Sequence, residues 1–307
     1  MILGLDIGGT KTAVVIGTTR GEILSRKQFP TMPQRGFQPV FDELAACIRE
    51  VLSSSPGRVD AISVAIGGPL NVLKGIVQSP TNLPGWDNIP LKRLLEEKFD
   101  LPVYVEHDGN AGALAEFYFG AGKGYRNIVF LTMGTGFGAG LILDGKLYRG
   151  ANDTAGEIGH IRIAEEGPLC YGKAGSLEGF GSGTGMAKLA HLMFPTKWSE
   201  TINVLDLYSS FRSGSLEARQ VFERAGFHLG RCFAMIADLL NPERIILGGL
   251  GMRIGDAFLP KAEEIFQLEA LAQTTQACKI VPAQLGEHIG DIASLCAALD
   301  QGVLLNK

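Results

Sequence analysis

Apolar and polar positions alternate along this chain in two characteristic ways, and the order in which they do so sets the expected elements. In ILGLDIGG, residues 2–9, an almost unbroken apolar run ends in paired glycines, and Ala13–Ile16 resumes it, the pattern of strand, tight turn and strand. IVFLTMGTGFGAGLIL, residues 128–143, repeats the arrangement with Asp6 aligned to Thr132 and Gly8 to Gly134, which points to a duplicated unit. Between the copies, Val40, Phe41, Leu44, Ile48, Val51 and Leu52 follow helical spacing, and Val59–Ile66 reads as a strand ending at Gly67-Gly68-Pro69. Residues 70–90, with Pro80, Pro84, Gly85 and Trp86, read as a loop-rich insertion, and 102–106 as a strand leading into a helix. In the second half an amphipathic helix is predicted over Leu216–Leu240, stopped by Asn241-Pro242 and followed by a strand at Ile245–Leu247 and by Gly248-Gly249. Strands and helices so mixed make an α/β protein. No stretch has linker composition, so two domains, 1–115 and 116–289, are expected to touch and flank a cleft.

Composition narrows the function classes. A formal net charge of −4 without any Lys/Arg run argues against a nucleic-acid surface. No apolar run reaches the roughly 18 to 20 residues of a membrane span, and no signal-type leader precedes the first strand, so neither membrane nor nucleic acid is an expected partner and the expected location is cytoplasmic. The five cysteines form an odd set without Cys-x-x-Cys spacing, which suits reduced thiols better than a disulfide framework.

Candidate chemistry lies in the glycine-rich turns and in VYVEHDGNAGALAE, residues 103–116. Gly4 to Thr12 approaches a Walker loop, but Thr10 stands where its lysine should be and a strand follows instead of a helix. Gly134, Gly136 and Ala139 fit the loose dinucleotide pattern, yet Asp144-Gly145 marks a hairpin where the receiving helix should begin. Glycine turns between strands can still cradle phosphate through backbone N–H groups, with Thr10, Lys11, Thr132 and Thr135 as added donors; each turn alone is equally well a tight hairpin. Asp108, at the junction of a strand and a helix beside Glu106 and His107, is either a helix N-cap or a reactive carboxylate.

In this order the motifs LDIGGTKTA, SPTNLPGW (79–86), EHDGNAGALAE (106–116), GTGFGAG (134–140), GEIGH (156–160), SLEGFGSG (176–183) and NPERIILGG (241–249) resemble the ROK family of sugar kinases and sugar-responsive repressors, within the actin and hexokinase superfamily. The resemblance implies a duplicated ribonuclease-H-like fold, two domains around a cleft, with a C-terminal helix at about 290–307 packing back on the first. It implies an ATP- and Mg²⁺-dependent phosphotransferase in which Asp108 is the general base toward a sugar hydroxyl, the 6-hydroxyl of a hexose. Asp6 then faces the Mg²⁺ through water; Gly8, Gly9, Thr10, Lys11, Thr132, Gly134, Thr135, Gly136, Gly248 and Gly249 lie along ATP; and Gly68, Asn82, His107, Glu157, His160 and Glu178 contact the sugar. The repressor branch carries a DNA-binding extension before the first hairpin, which here begins at residue 2, so the kinase branch is expected, as a homodimer or higher homo-oligomer.

Two departures from the family pattern matter. Many members follow the GEIGH histidine with three cysteines of a structural zinc site. Here HIRIAEEGPLCYGKAGSLE keeps Cys170, while Gly172 follows Tyr171 where another Cys is expected and Ser176 replaces the last, so no structural zinc is expected and the loop would be held by packing of Leu169, Tyr171 and Leu177. His107 stands where the family usually has Asn, which bears on the sugar recognised. Glucose, an N-acetylhexosamine, mannose, fructose, allose and a cyclic polyol stay open as substrates, as do ATP and polyphosphate as donors. The competing functions are a non-catalytic sugar sensor and a chaperone-like ATPase, the latter without an evident peptide-binding domain.

Overall fold

The computed structural model describes residues 1–199 and 201–301. They form two compact units, one of Met1–Lys123, Leu147–Ala155 and the C-terminal segment from Glu287, the other of Gly124–Lys146 and Gly156–Gly286.

Each unit is built on a five-stranded mixed sheet. In the first, β1 (Ile2–Ile7), β2 (Lys11–Gly17) and β3 (Ile23–Pro30) make an antiparallel meander, and β4 (Ala61–Ile66) and β5 (Val103–His107) add to β1 in parallel, giving the order β3-β2-β1-β4-β5. In the second, β6 (Ile128–Met133), β7 (Phe137–Leu143), β8 (Lys146–Leu147), β9 (Arg244–Leu247) and β10 (Lys279–Pro282) take the matching order β8-β7-β6-β9-β10. The repeat seen in the sequence is therefore a repeat of sheet topology, with Asp6 and Thr132 each next to last in the first strand of its copy. The two hairpins differ in length: Ile7 pairs with Thr12 in the first, Met133 with Phe137 in the second.

The first core lies between this sheet and helix α1 (Phe37–Ser53), which buries Val40, Phe41, Leu44, Ile48 and Val51 on one face. The insertion at 70–90 is anchored on it by Leu83 and Trp86, both fully buried, with Trp86 meeting Phe37 edge to face at 5.0 Å. Burial of side chains this large stabilises by roughly 1.5–3 kcal/mol each, enough to hold a loop that has little regular structure. Helix α2 (Leu91–Phe99) leads to β5, and α3 (Asp108–Phe119) starts directly from its end. Because α3 is enclosed over Gly109–Glu116, its small residues rather than an amphipathic stripe define it. The final helix of this unit, Ile289–Asp300, packs on β1, β4 and α3; residues 302–307, the end of the helix expected at 290–307, lie outside the described residues.

In the second unit the predicted long helix runs over Leu216–Leu240, capped by the Ser215 hydroxyl on the Ala218 N–H and closed by Asn241 in a left-handed conformation. Its glycines Gly226 and Gly230 allow close packing on the helix Gly255–Glu269. No helix among the described residues is long and apolar enough to cross a membrane.

Candidate functional site

Parallel register brings the strand ends of the first unit level with one another. Asp6, Ala65 and Glu106 are partners across β1, β4 and β5, and Ile7, Ile66 and His107 are the next row. Gly67-Gly68 and Asp108 begin the segments that leave this edge, the usual place for a ligand in a sheet with parallel strands.

Asp108 is exposed, with 56% of its side chain accessible. Its Oδ1 accepts the Gly109 N–H at 2.7 Å and lies 3.1 Å from His107 Nδ1. The Gly109 N–H also reaches His107 Nδ1 at 3.2 Å, so the N-cap position of α3 falls on His107, while Asp108 is the first helical residue. The other edge of the His107 ring lies against Gly68, where a Cβ would come within 2.9 Å of Nε2. Asn82 closes on the same region, its carbonyl 2.7 Å from where a Gly9 side chain would start and its carboxamide beside Gly67.

Asp6 is half-buried and its pKa is raised to about 6, chiefly by burial and then by the negative charge of Asp108, against the opposing effect of Lys11. Burial and a second carboxylate both disfavour the ionised form of Asp6, and a nearby cation would offset that cost. In the first hairpin the Gly8 N–H is used by the Lys11 carbonyl at 3.1 Å and the Thr10 carbonyl accepts from Thr31, leaving the amides of Gly9 and Thr10 and the exposed Lys11 side chain as donors.

Beneath this edge, Glu106 is fully buried and fully partnered. Its Oε1 accepts the His107 N–H and the Asn110 side chain, both at 3.0 Å, and its Oε2 accepts Arg149 Nε at 2.8 Å and lies 2.7 Å from Nη2 as an ion pair. Arg149 also donates to Asp300 at 2.7 Å. Burial alone would pull the guanidinium down, but Glu106 and Asp300 outweigh it and hold the group above its ordinary value. Sequence reasoning missed Arg149 and Asp300, for they come from distant segments; the only local signal was Glu106, a buried carboxylate in need of a partner.

The second unit gathers a separate group. Glu178, at the start of α4 (Leu177–Gly181), accepts the Phe137 N–H at 3.3 Å and the Tyr171 hydroxyl, both on Oε2. Gly136 lies against the same oxygen, 3.2 Å from where a Cβ would sit, and Gly159 packs on the Phe137 carbonyl and the Glu178 stem. His160, exposed at the end of a short 3₁₀ turn that starts after Glu157, stacks on the Tyr171 ring at 3.5 Å and 20°. The Tyr171 phenol is pushed well above its ordinary value by burial and by Glu178, with Glu157 adding to the effect.

The remaining turn residues divide. Gly134 and Thr135 are exposed and Thr132 half-buried; the Gly134 N–H is used by the Gly136 carbonyl at 3.0 Å, leaving Thr135 and Gly136 as amide donors. Gly248 and Gly249 instead meet neighbouring protein: a Cβ would fall 2.6 Å from the Phe130 ring and 2.2 Å from the Met133 carbonyl. Packing against β6 thus calls for glycine at both positions.

Around His160 the loop departs from its expected form. The side chain beside His160 is Tyr171; Cys170 is buried, and no group of three or more His, Cys, Asp or Glu side chains suited to a metal occurs among the described residues. Leu177 packs in the core, but Leu169 is 63% exposed and does not hold the loop. That task falls to Gly167 and Gly175, which press against Phe180 and the Ala164 carbonyl. Tyr171 and Gly172 form the turn of the hairpin Leu169–Cys170/Lys173–Ala174, both left-handed, at φ 53° and 71°. For a bulky non-glycine residue that conformation costs roughly 1–2 kcal/mol.

The chain is 33% identical over 305 residues to a glucokinase of Halalkalibacterium halodurans, covering 94% of this chain and 92% of that one. It is 28% identical over 302 residues to a xylose repressor of Caldicellulosiruptor bescii, covering 94% of this chain and 75% of the repressor. Among solved structures, a glucokinase of Streptomyces griseus in complex with glucose and AMPPNP superposes with a TM-score of 0.79 at 28% identity, over 96% of this chain and 97% of that one. The two mixed sheets share the actin-like fold of this ROK family glucokinase. With the ROK family pattern matching residues 2–299, this chain belongs to the ROK family.

Proposed function

We propose that the protein is a sugar kinase that transfers the γ-phosphoryl group of ATP to a hydroxyl of a hexose, the 6-hydroxyl, in the manner of a glucokinase. The observation that carries this reading is the pair Asp6 and Asp108 on one strand edge, the first half-buried with a raised pKa, the second exposed and held by the Gly109 N–H. Asp108 accepts the hydroxyl proton as the sugar oxygen forms its bond to the γ-phosphorus. The bond from that phosphorus to the bridging oxygen breaks, and ADP leaves. A base fixed at the end of a strand meets the requirement of hydrogen-bond reach without reordering at each turnover.

Asp6 fits a Mg²⁺ ion held through water, because a cation offsets the charge that burial and Asp108 make unfavourable there. When bound, that ion supplies neutralisation of phosphate charge. Amide donors of Gly9, Thr10, Thr135 and Gly136, with Lys11, suit phosphate oxygens. Glu178 and Glu157 suit paired sugar hydroxyls as acceptors, while His160 and His107 add donors. Asn82, beside Gly9 and Gly67, closes the sugar side of the first unit.

Similarity to the xylose repressor supports a second reading, a sugar sensor without turnover. ADP release measured by a coupled assay over a panel of hexoses, N-acetylhexosamines and cyclic polyols separates the two. Sugar-dependent release is expected; sugar binding without release would favour the sensor. Asp108→Asn keeps the size of the side chain and removes its basicity, so kcat is expected to fall roughly 10²-fold or more while KM for sugar stays within a few-fold. Near-normal turnover of a folded Asp108→Asn protein would overturn the assignment of the base.

A further inference from the structure

The hairpin Leu169–Cys170/Lys173–Ala174 raises a question of residue choice. Two-residue hairpin turns with both central residues left-handed favour Asn-Gly, Asp-Gly or Gly-Gly, yet the first position here is a tyrosine. Backbone strain of this kind persists where something else depends on it. The side chain that the strained turn presents is also not placed for packing, being 47% exposed. It makes two directed contacts instead: its ring stacks on His160, and its hydroxyl donates to Glu178 Oε2.

From these contacts we infer that Tyr171 is a positioning residue for the sugar half-site of the second unit, kept at the turn for ligand recognition and at the expense of the turn itself. This inference rests on the proposed sugar-kinase reading, in which His160 and Glu178 contact the sugar. One residue fixes both groups. Its hydroxyl and the Phe137 N–H converge on a single carboxylate oxygen of Glu178, which sets the side-chain rotamer and leaves Oε1 to accept from a sugar hydroxyl. The stacked ring holds the His160 imidazole in one plane at the end of its short turn, where no other side chain orients it through ring contact among the described residues.

Three proteins decide the matter: wild type, Tyr171→Phe, which keeps the stack and loses the hydroxyl, and Tyr171→Asn, which gives the turn the Asn-Gly pair it favours. Sugar Kd by calorimetry, nucleotide Kd and thermal unfolding are measured on each. Loss of a hydrogen bond to a charged acceptor is expected to raise the sugar Kd of Tyr171→Phe about 5- to 30-fold. Tyr171→Asn is expected to bind sugar more weakly still, yet to unfold no earlier than wild type, a combination that a purely structural tyrosine would not produce. Nucleotide Kd is expected to stay unchanged in both. If wild type binds a sugar and both variants bind it equally well, or if affinity falls only in step with thermal stability, the role given to Tyr171 is wrong while the kinase reading stands. If wild type binds no sugar of the panel, the kinase reading fails and the role of Tyr171 fails with it.

Discussion

Replacing Arg149 by Met tests whether the ion pair under the strand edge is what keeps a fully buried carboxylate tolerable next to Asp108. Met fills the space of the aliphatic stem and removes the guanidinium, so Glu106 keeps the His107 and Asn110 donors on Oε1 while Oε2 loses both of its contacts to Arg149. Stranding one member of a buried ion pair typically costs about 3–5 kcal/mol. Because half of the carboxylate stays satisfied, the lower end, about 3 kcal/mol, is expected, equivalent to a fall in Tm of roughly 6–12 °C for a unit of this size. Urea unfolding followed by tryptophan fluorescence can read this directly: Trp86 is buried in the first unit, and Trp198→Phe removes the signal of the second. Adding Glu106→Gln discharges the stranded group, so the double variant is expected to be more stable than Arg149→Met, with about 1–2 kcal/mol of loss remaining. A double variant as unstable as Arg149→Met, or an Arg149→Met protein within 0.5 kcal/mol or so of wild type, would refute the reasoning.

Two expectations concern pH. Asp6 has a folded pKa of about 6, above its ordinary 3.8, so the folded state holds the extra proton between these values; its contribution to stability is therefore lost as pH rises through that window. Asp6→Asn should flatten that segment of a pH–stability curve and raise the unfolding free energy at pH 7 by about 1–3 kcal/mol, and an unchanged curve would count against the burial of this charge. His228 shows the opposite case: it is buried against Phe180 at 3.9 Å with neither ring nitrogen partnered, and burial lowers its pKa to about 4 from 6.5. The stability it allows is complete above pH 6.5 and is lost as pH falls toward 4, so His228→Phe should stabilise by about 1 kcal/mol at pH 7 and by more at pH 4.5; equal gains at both pH values would contradict this.

The elements that carry local signals were legible in the sequence. The long helix over Leu216–Leu240 has its cap at Ser215 and its stop at Asn241-Pro242, and the repeated strand, turn and strand came through as the two matching sheets. Val59–Ile66 was read two residues too early, since Val59 and Asp60 precede the ladder that starts at Ala61. What stayed hidden depends on contacts between distant segments. Arg149 meets Glu106 and Asp300 across separations of 43 and 151 residues, and no spacing rule reaches that far. The cap on α3 lies one residue from where side-chain preference would put it, because the His107 ring, in space that Gly68 leaves open, accepts the Gly109 N–H. Tyr171 reads from the sequence only as packing, for the reverse reason: a tyrosine between Cys170 and Gly172 carries no other local signal, and only its left-handed φ and its two contacts mark it otherwise.

Arg149 belongs to a segment, Leu147–Ala155, that the chain lends to the first unit between two stretches of the second, and Asp300 lies in the last helix. During synthesis the first 123 residues emerge carrying Glu106 with no cation to face it. Its partner arrives only after β6, β7 and β8 have been made, and the acid that steadies that partner arrives when the chain is almost finished. The unit bearing Asp108 therefore cannot mature as an independent N-terminal domain in the usual vectorial order. It waits for the ribosome to deliver the other half of the protein, so a nascent chain stalled before Asp300 carries an unfinished strand edge beneath Asp108.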